Sequence, residues 1–380
     1  MRKIFLTSIV AAALAVGAGV YINQAAHRND AAAAASEDVD ITPGPKLLVR
    51  STADGSMGHL AVVDARALRQ EGAAGARQQE AAASTPQQEA AASTPQQEGA
   101  AGARQQEGAA STPQQEAAAG APPQGRKVSA VTCNRVYAAA GTAICLRPDG
   151  PLASYQITVL GPHLEQRDAY PMVGVPNRAR VSADGRLVTW TAFVTGDSYN
   201  NGQFSTRVGV LDTSTGDMVA ESLEDFALTR DGKPYQAVDI NYWGVTIAAD
   251  DRTFYATMAT AGHRYLVQGD FQARTMKTLA ENVECPSLSP DGTRIAFKQA
   301  VGGDPAKGWR PAVLDLATLR PTVLAETRSV DDQIAWLDDH TVMYGLHRDA
   351  DHADVWSVPA DGSGAAAILV PDAESPAYLR

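Results

Sequence analysis

The chain has 380 residues, 44% of them hydrophobic but only 6% aromatic, and its 43 acidic side chains against 32 basic ones give a net charge of −11. That length suits two average domains or one large all-β assembly. There is no cluster of Lys and Arg to neutralise phosphates, which argues against nucleic acid as a partner.

Arg2 and Lys3 precede an uncharged run from Ile4 to Ile22 that is long enough to span a bilayer. Asn23 and Gln24 follow it where a small-residue cleavage site would stand, so residues 1–22 read as an uncleaved signal-anchor, with a cleaved signal peptide as the alternative. No Cys follows the run, which rules out a lipid anchor at that point. The first reading expects a body outside the cytoplasm, held in the membrane through residues 4–22; the second expects a secreted one. Residues 23–41, rich in Ala and Asp, read as a disordered linker.

Residues 42–70 open the folded part with two strand-like runs, Leu47–Ser51 and His59–Val63. A low-complexity tract over 71–125 then interrupts it. A nine-residue unit begins at Glu71, Glu80, Glu89, Glu98, Glu107 and Glu116, with no aromatic or large aliphatic residue to bury. Pro86, Pro95 and Pro113 break any helix its alanines would favour, so the tract is expected to be disordered. It reads as an expansion tolerated inside a surface loop.

The folded part resumes over 126–380. Cys133 and Cys145 flank two strand ends around Gly141-Thr142, and antiparallel neighbours can bring Cα atoms within bridging range. An exported chain then predicts a Cys133–Cys145 disulfide; two buried thiols are the alternative. Cys285, left over, reads as a packed core residue.

One short phrase recurs beyond this point: Ser182-Ala-Asp-Gly185, Ala248-Ala-Asp-Asp251, Ser289-Pro-Asp-Gly292 and Leu337-Asp-Asp-His340, each feeding a β-rich strand. Repetition at roughly forty to fifty residues is the mark of four-stranded blades. Second strands are predicted at Leu47–Arg50, Ala143–Leu146, Leu187–Trp190, Thr253–Ala256, Arg294–Phe297 and Thr341–Tyr344, which gives six blades. One interval is long, with its excess in Glu221–Ala237, expected to be a decorated loop. Glu374-Ser-Pro-Ala-Tyr378 echoes the first strand Glu284-Cys-Pro-Ser-Leu288 and then stops, while Thr42-Pro-Gly-Pro takes up the phrase at the other end. The expectation is an all-β, six-bladed β-propeller closed by combining N- and C-terminal strands, preceded by a hydrophobic helix and interrupted by the repeat tract.

At these residues the chain resembles the TolB-like β-propellers, whose repeats are related to WD40 and often carry Ser-Pro-Asp-Gly before an aliphatic-aromatic strand. Ser289–Gly292 with Ile295-Ala-Phe297 matches fully, and Ser182–Gly185 with Val188-Thr-Trp190 matches closely. The family includes bacterial Tol–Pal components and propeller domains of peptidases. The Gly-x-Ser-x-Gly motif of the peptidases' hydrolase domain is absent here.

The resemblance directs attention to the ring face built from loops that enter first strands and join second to third strands. On it, Asp197, Tyr199 and Asn200 could bind a peptide or sugar, although Asn and Gly there also suit a polar turn. Tyr242, Glu284, Asp331, Asp332 and Glu374, at first-strand starts, could converge on the channel and hold a cation or basic peptide; pairing with Arg178 or Lys298 is the structural alternative. The run His347, Asp349, Asp351, His352, Asp354 fits no metal-ligand frame, and neither a metal nor a cofactor is expected. The resulting expectation is a non-enzymatic scaffold of the bacterial envelope that binds a protein or cell-wall component. A cell-envelope hydrolase or lyase using channel carboxylates is the alternative.

Overall fold

The computed structural model describes residues 37–66, 68, 125–150, 154–194 and 205–380. The hydrophobic run at 4–22, the linker up to residue 36 and nearly all of the nine-residue repeats lie outside the described residues. Among those described, no helix is long and apolar enough to cross a membrane.

Six sheets form a ring of blades. Blade 1 joins β1 (Lys46–Ser51), β2 (His59–Asp64) and β3 (Lys127–Thr132) to the last strand, β26 (Ala373–Tyr378), in the order β26-β1-β2-β3. Blade 2 is β4 (Arg135–Ala139), β5 (Thr142–Asp149), β6 (Ser154–Leu160) and β7 (Gln166–Met172); blade 3 is β8 (Val175–Val181), β9 (Leu187–Val194), β10 (Ser205–Asp212) and β11 (Met218–Ala220). Blade 4 contains β14 (Asn241–Ile247), β15 (Thr253–Thr260), β16 (His263–Asp270) and β17 (Thr275–Glu281). Blade 5 is β18 (Glu284–Leu288), β19 (Arg294–Ala300), β20 (Trp309–Asp315) and β21 (Pro321–Val323); blade 6 is β22 (Ala335–Asp338), β23 (Thr341–His347), β24 (Ala353–Pro359) and β25 (Ala367–Val370). Every predicted second strand falls within the observed second strand of its blade.

Blade 4 departs from expectation. The excess expected as a loop contributes two further strands, β12 (Ala227–Arg230) and β13 (Lys233–Pro234), and β12 runs parallel to β17 on the outer edge. Phe226, just ahead of β12, meets Phe254 edge-on at 5.8 Å, and Phe254 stacks on Phe271 at 4.3 Å. This aromatic anchor lets a segment with little apolar content of its own cover an edge that would otherwise stand open.

The core is divided among the seams between blades. Leu47 and Val49 pack toward blade 6, while Leu48 packs toward blade 2. Alternate residues of an inner strand point to opposite faces, and here both faces are covered. That is why these strands are continuous apolar runs. Each of the six hydrophobic clusters joins two consecutive blades.

The repeated Asp-containing phrase is turn chemistry. Ser182 Oγ donates to Asp184 at 2.6 Å, the Arg186 amide donates to the same carboxylate at 2.9 Å, and the Leu187 amide donates to Ser182 Oγ at 2.9 Å. Ser289 and Asp291 repeat the pattern. Gly185 and Gly292 supply the left-handed backbone (φ 82° and 71°), and Asp251 takes that conformation (φ 51°) in blade 4. Burial and a hydrogen bond with Asp184 of the neighbouring turn raise the Asp251 carboxyl to about 6, outweighing Arg186 nearby. An acid with a raised folded-state pKa binds more protons when folded than unfolded. Asp251 therefore contributes stability at acid pH that is lost as pH rises through about 6, while Asp184, whose pKa is lowered, acts in the opposite direction at lower pH. Denaturant titrations of the native chain and Asp251→Asn across pH 4–7 should show the variant lacking this fall; parallel curves would refute the shared proton.

The predicted Cys133–Cys145 bond is present, with Cα atoms 5.5 Å apart. It is not a cross-strand pair, because Cys145 on β5 lies opposite Val136. Cys133 instead sits in the segment from β3 to β4, so the bond ties the exit of blade 1 to the second strand of blade 2. The Cys133 carbonyl also accepts from Arg50 Nε at 2.7 Å, and its amide donates to Gly58 at 3.0 Å. Replacing both cysteines with Ser should lower unfolding free energy by about 2–4 kcal/mol in denaturant melts. An unchanged midpoint would show that the seam holds without the bond.

Candidate functional site

Three first strands begin with a backbone feature that aims side chains into the channel. Gly244 (φ 64°), Cys285 (φ 52°) and Ser375 (φ 52°) occupy matching early positions in β14, β18 and β26, and strand register shifts beside each. Such a bulge re-aims the residues around it. A Cβ on Gly244 would stand 2.8 Å from the Cys285 backbone, so this approach of two blades requires glycine. Cys285 and Ser375 are both followed by Pro, which explains the echo between Glu284-Cys-Pro and Glu374-Ser-Pro: it encodes the bulge.

At the bulges of β14 and β18 lies a cavity of about 750 Å³. It opens on the expected face, where β9 hands over to β10 (Phe193, Thr206) and β15 to β16 (Ala259 to Arg264), with β14 and β18 starting at its edge. The Asp turns precede the second strands and so sit at the other end of the blades. Trp243 and Trp309 contribute rings to the wall, and Arg135, Arg178, Arg264 and Lys298 contribute charge.

Lys298 is the centre of this electrostatic arrangement. Only 2% exposed, it lies 3.1 Å from Glu284, hydrogen-bonds Asp331, and sits 4.5 Å from the centre of the Trp309 ring. Burial favours the neutral amine, but Cys285, Glu284 and Asp331 outweigh it, and the pKa is raised. Asp331, although its side chain is mostly exposed, is held below the ordinary carboxylate range: partial desolvation among the wall groups opposes ionisation, and Lys298 and Arg178 overcome it. Arg178, buried in the wall, also remains charged against desolvation, through Cys285, Asp332 and Asp331.

The predicted site residues divide into three groups. Glu284 and Asp331 are brought together on the cavity wall, sharing Lys298, so the structural alternative of pairing with Arg178 or Lys298 is realised at both. Asp332 and Glu374 do not line this cavity. Asp332 pairs with Arg135 at 3.2 Å and accepts from the Gly345 amide at 2.9 Å; Glu374 pairs with Arg50 at 2.8 Å and approaches His347 at 3.4 Å. Tyr242 is in the core between blades 3 and 4, 3% exposed, where burial raises its hydroxyl pKa; its neighbour Trp243 faces the cavity instead. Asp197, Tyr199 and Asn200 lie outside the described residues, in the connection whose two ends, Phe193 and Thr206, line the cavity.

Sequence reasoning missed Arg135, Arg264 and Trp309. Two of them, Arg264 and Trp309, stand at the starts of third strands, β16 and β20. Cys285 is buried as expected, but its side chain borders the cavity rather than a hydrophobic cluster, and its amide donates to Thr257 Oγ1 at 2.8 Å. In the 347–354 segment the Asp and His side chains engage one another and nearby groups: Asp349 takes amide hydrogens from Asp351 and His352, while Arg348 reaches Asp354 and Asp372.

The chain is similar to the crystal structure of TolB from Acinetobacter baumannii, with a TM-score of 0.51 at 14% identity over 89% of this chain and 68% of that one. The fold is that of the TolB-like β-propellers. A putative TolB from Agrobacterium tumefaciens is similar over 66% of this chain and 86% of that one, at 12% identity and a TM-score of 0.43. No family model matches the sequence, and no curated protein matches it. At such identities the likeness concerns the TolB-like architecture and not the contents of the cavity.

Within that architecture Lys298 neutralises carboxylates from two blades. Removing one partner of a buried ion pair leaves an uncompensated charge, which costs about 3–5 kcal/mol. Lys298→Met should therefore destabilise the chain by about that amount in denaturant melts, and a Lys298→Met/Glu284→Gln double variant should recover part of it. Loss of less than about 1 kcal/mol in the single variant would show the pair to be solvated.

Proposed function

We propose that the chain is a non-enzymatic binding scaffold of the bacterial cell envelope, held outside the cytoplasm, which receives part of a partner protein or wall component in the cavity at the channel mouth. The observation that carries this reading is the cavity itself: about 750 Å³, walled by two Trp rings and fixed charges, on the loop-bearing face of a rigid ring. The disulfide supports an oxidising compartment, and the apolar run at 4–22 supports membrane attachment. The connection bearing Asp197, Tyr199 and Asn200 leaves and rejoins the ring at the cavity wall, so these residues belong to the proposed contact surface.

The state of the carboxylates favours binding over hydrolysis or lyase chemistry. A general acid needs an environment that keeps its proton near neutral pH, typically apolar and unpaired. Glu284, Asp331, Asp332 and Glu374 each contact a guanidinium or ammonium group.

Crosslinking of the full chain to envelope fractions, read by mass spectrometry, is the test. A specific component should be captured by the native chain and recovered about tenfold less by Trp243→Ala, since buried aromatic residues at interface centres often cost 2 kcal/mol or more when truncated. Asp197→Ala/Tyr199→Ala should lower recovery as well. Equal recovery in all three would remove the cavity as the docking site.

A further inference from the structure

The charge of the cavity wall opposes that of the chain. The molecule carries a net −11, yet the wall presents Arg135, Arg178, Arg264 and Lys298 against the carboxylates of Asp239, Glu284 and Asp331. Each wall carboxylate has donors or cations beside it, although one Glu284 oxygen has no aligned hydrogen bond. Asp239 accepts from Thr260 Oγ1 at 2.8 Å and the Ala261 amide at 2.5 Å, Glu284 lies between Lys298 and Arg264, and Asp331 meets Lys298 and Arg178.

The cations are less well supplied with acceptors. Arg178 is 7% exposed; its Nη atoms donate to the Asn177 and Asp331 carbonyls at 3.2 and 3.4 Å, and its Nε has no hydrogen-bond partner. Arg264 Nε lies 2.8 Å from Glu284 Oε2, but neither atom is aligned for a hydrogen bond, so this is charge contact without the directional lock of a bidentate pair. An arginine offers five N–H donors in a fork that matches a carboxylate. In a partly desolvated cavity, a surplus cation and an unmet donor both favour an incoming anion.

We propose that the cavity takes an acidic peptide segment, with an Asp or Glu carboxylate of the partner seated by Arg264 and Arg178. This rests on the reading of the cavity as a docking site and names the chemistry it selects. A basic segment would meet four cations. A sugar would stack on an aromatic face, and of the two wall rings Trp309 already has Lys298 at 4.5 Å and Arg264 at 5.5 Å from its centre, which leaves Trp243 alone for stacking against four cations.

The test is calorimetric titration of the full chain with three pools of end-blocked hexapeptides, one of Asp, Glu and Gly, one of Asn, Gln and Gly, and one of Lys, Arg and Gly. The acidic pool should bind about tenfold or more tightly than the neutral pool, less tightly as salt rises, and about tenfold less tightly to Arg264→Gln. Asp331→Asn, which removes an exposed wall carboxylate, should bind the acidic pool more tightly than the native chain does. A purely structural effect of substitution would weaken binding instead. Equal or tighter binding of the neutral or basic pool overturns the acidic assignment and leaves the docking site standing. Binding of no pool, with envelope capture still sensitive to Trp243→Ala, overturns the peptide class alone. Loss of both removes the docking site too.

Discussion

The pairing of the last strand with the first is the constraint on which the rest of the molecule depends. Arg50 of β1 lies opposite Glu374 of β26, and the seam extends past the strand ends, where the Gly44 amide donates to the Leu379 carbonyl at 3.0 Å and the Leu379 amide to the Lys46 carbonyl at 2.9 Å. A ring of blades has no core of its own apart from the seams between neighbours. Opening one seam exposes the apolar faces of two blades and leaves the ladder of β1 unpaired. The cluster shared by blades 6 and 1, with Val49, Met343, Val355 and Ala373, exists only because the ring is shut. The channel and its cavity follow from the same closure, since they are enclosed by six first strands held at fixed spacing.

A single motif performs two tasks. The Glu that opens β18 and the Glu that opens β26 each face a cation directly across the ladder, Lys298 in one case and Arg50 in the other. Each pair staples a first strand to its second strand. In blade 5, however, the pair also stands at the cavity wall, where Asp331 from the approach to blade 6 joins it. Charges that stabilise the channel thus determine the potential a ligand meets. Pairing does not remove that potential, because donors and acceptors on the wall are not matched one to one.

The fold was legible because its signals are local and repeated. A tight turn feeding an apolar run requires few residues, and the Asp turns at 184, 250, 291 and 338 kept the count of blades through large differences in loop length. The closing of the ring was legible from an interrupted phrase, Glu374-Ser-Pro, completed at the other end of the chain. What escaped was what local patterns do not encode. The segment around β12 and β13 has ordinary loop composition and becomes strand because Phe226 docks on Phe254 and Phe271. Tyr242, expected at the channel, turns to the core and its neighbour Trp243 faces the cavity, beside a bulge at Gly244. The acidic first-strand starts were visible, but their partners Arg135 and Arg264 come from other blades, and only the closed ring brings them together.

The direction of the strands also sorts the appendages of the chain. First strands begin at the cavity and second strands return to it, so β1 starts on the far side of the ring, where residues 37–45 arrive. The connection from β2 to β3, which contains the nine-residue units, likewise departs from that far side. Whatever precedes residue 37 is therefore joined to the base of the ring and not to its mouth. The repeat units are subject to the same geometry. Both of their attachment points, the end of β2 and the start of β3, lie on the side away from the entrance, so the repeats and whatever enters the mouth are joined to opposite ends of one molecule.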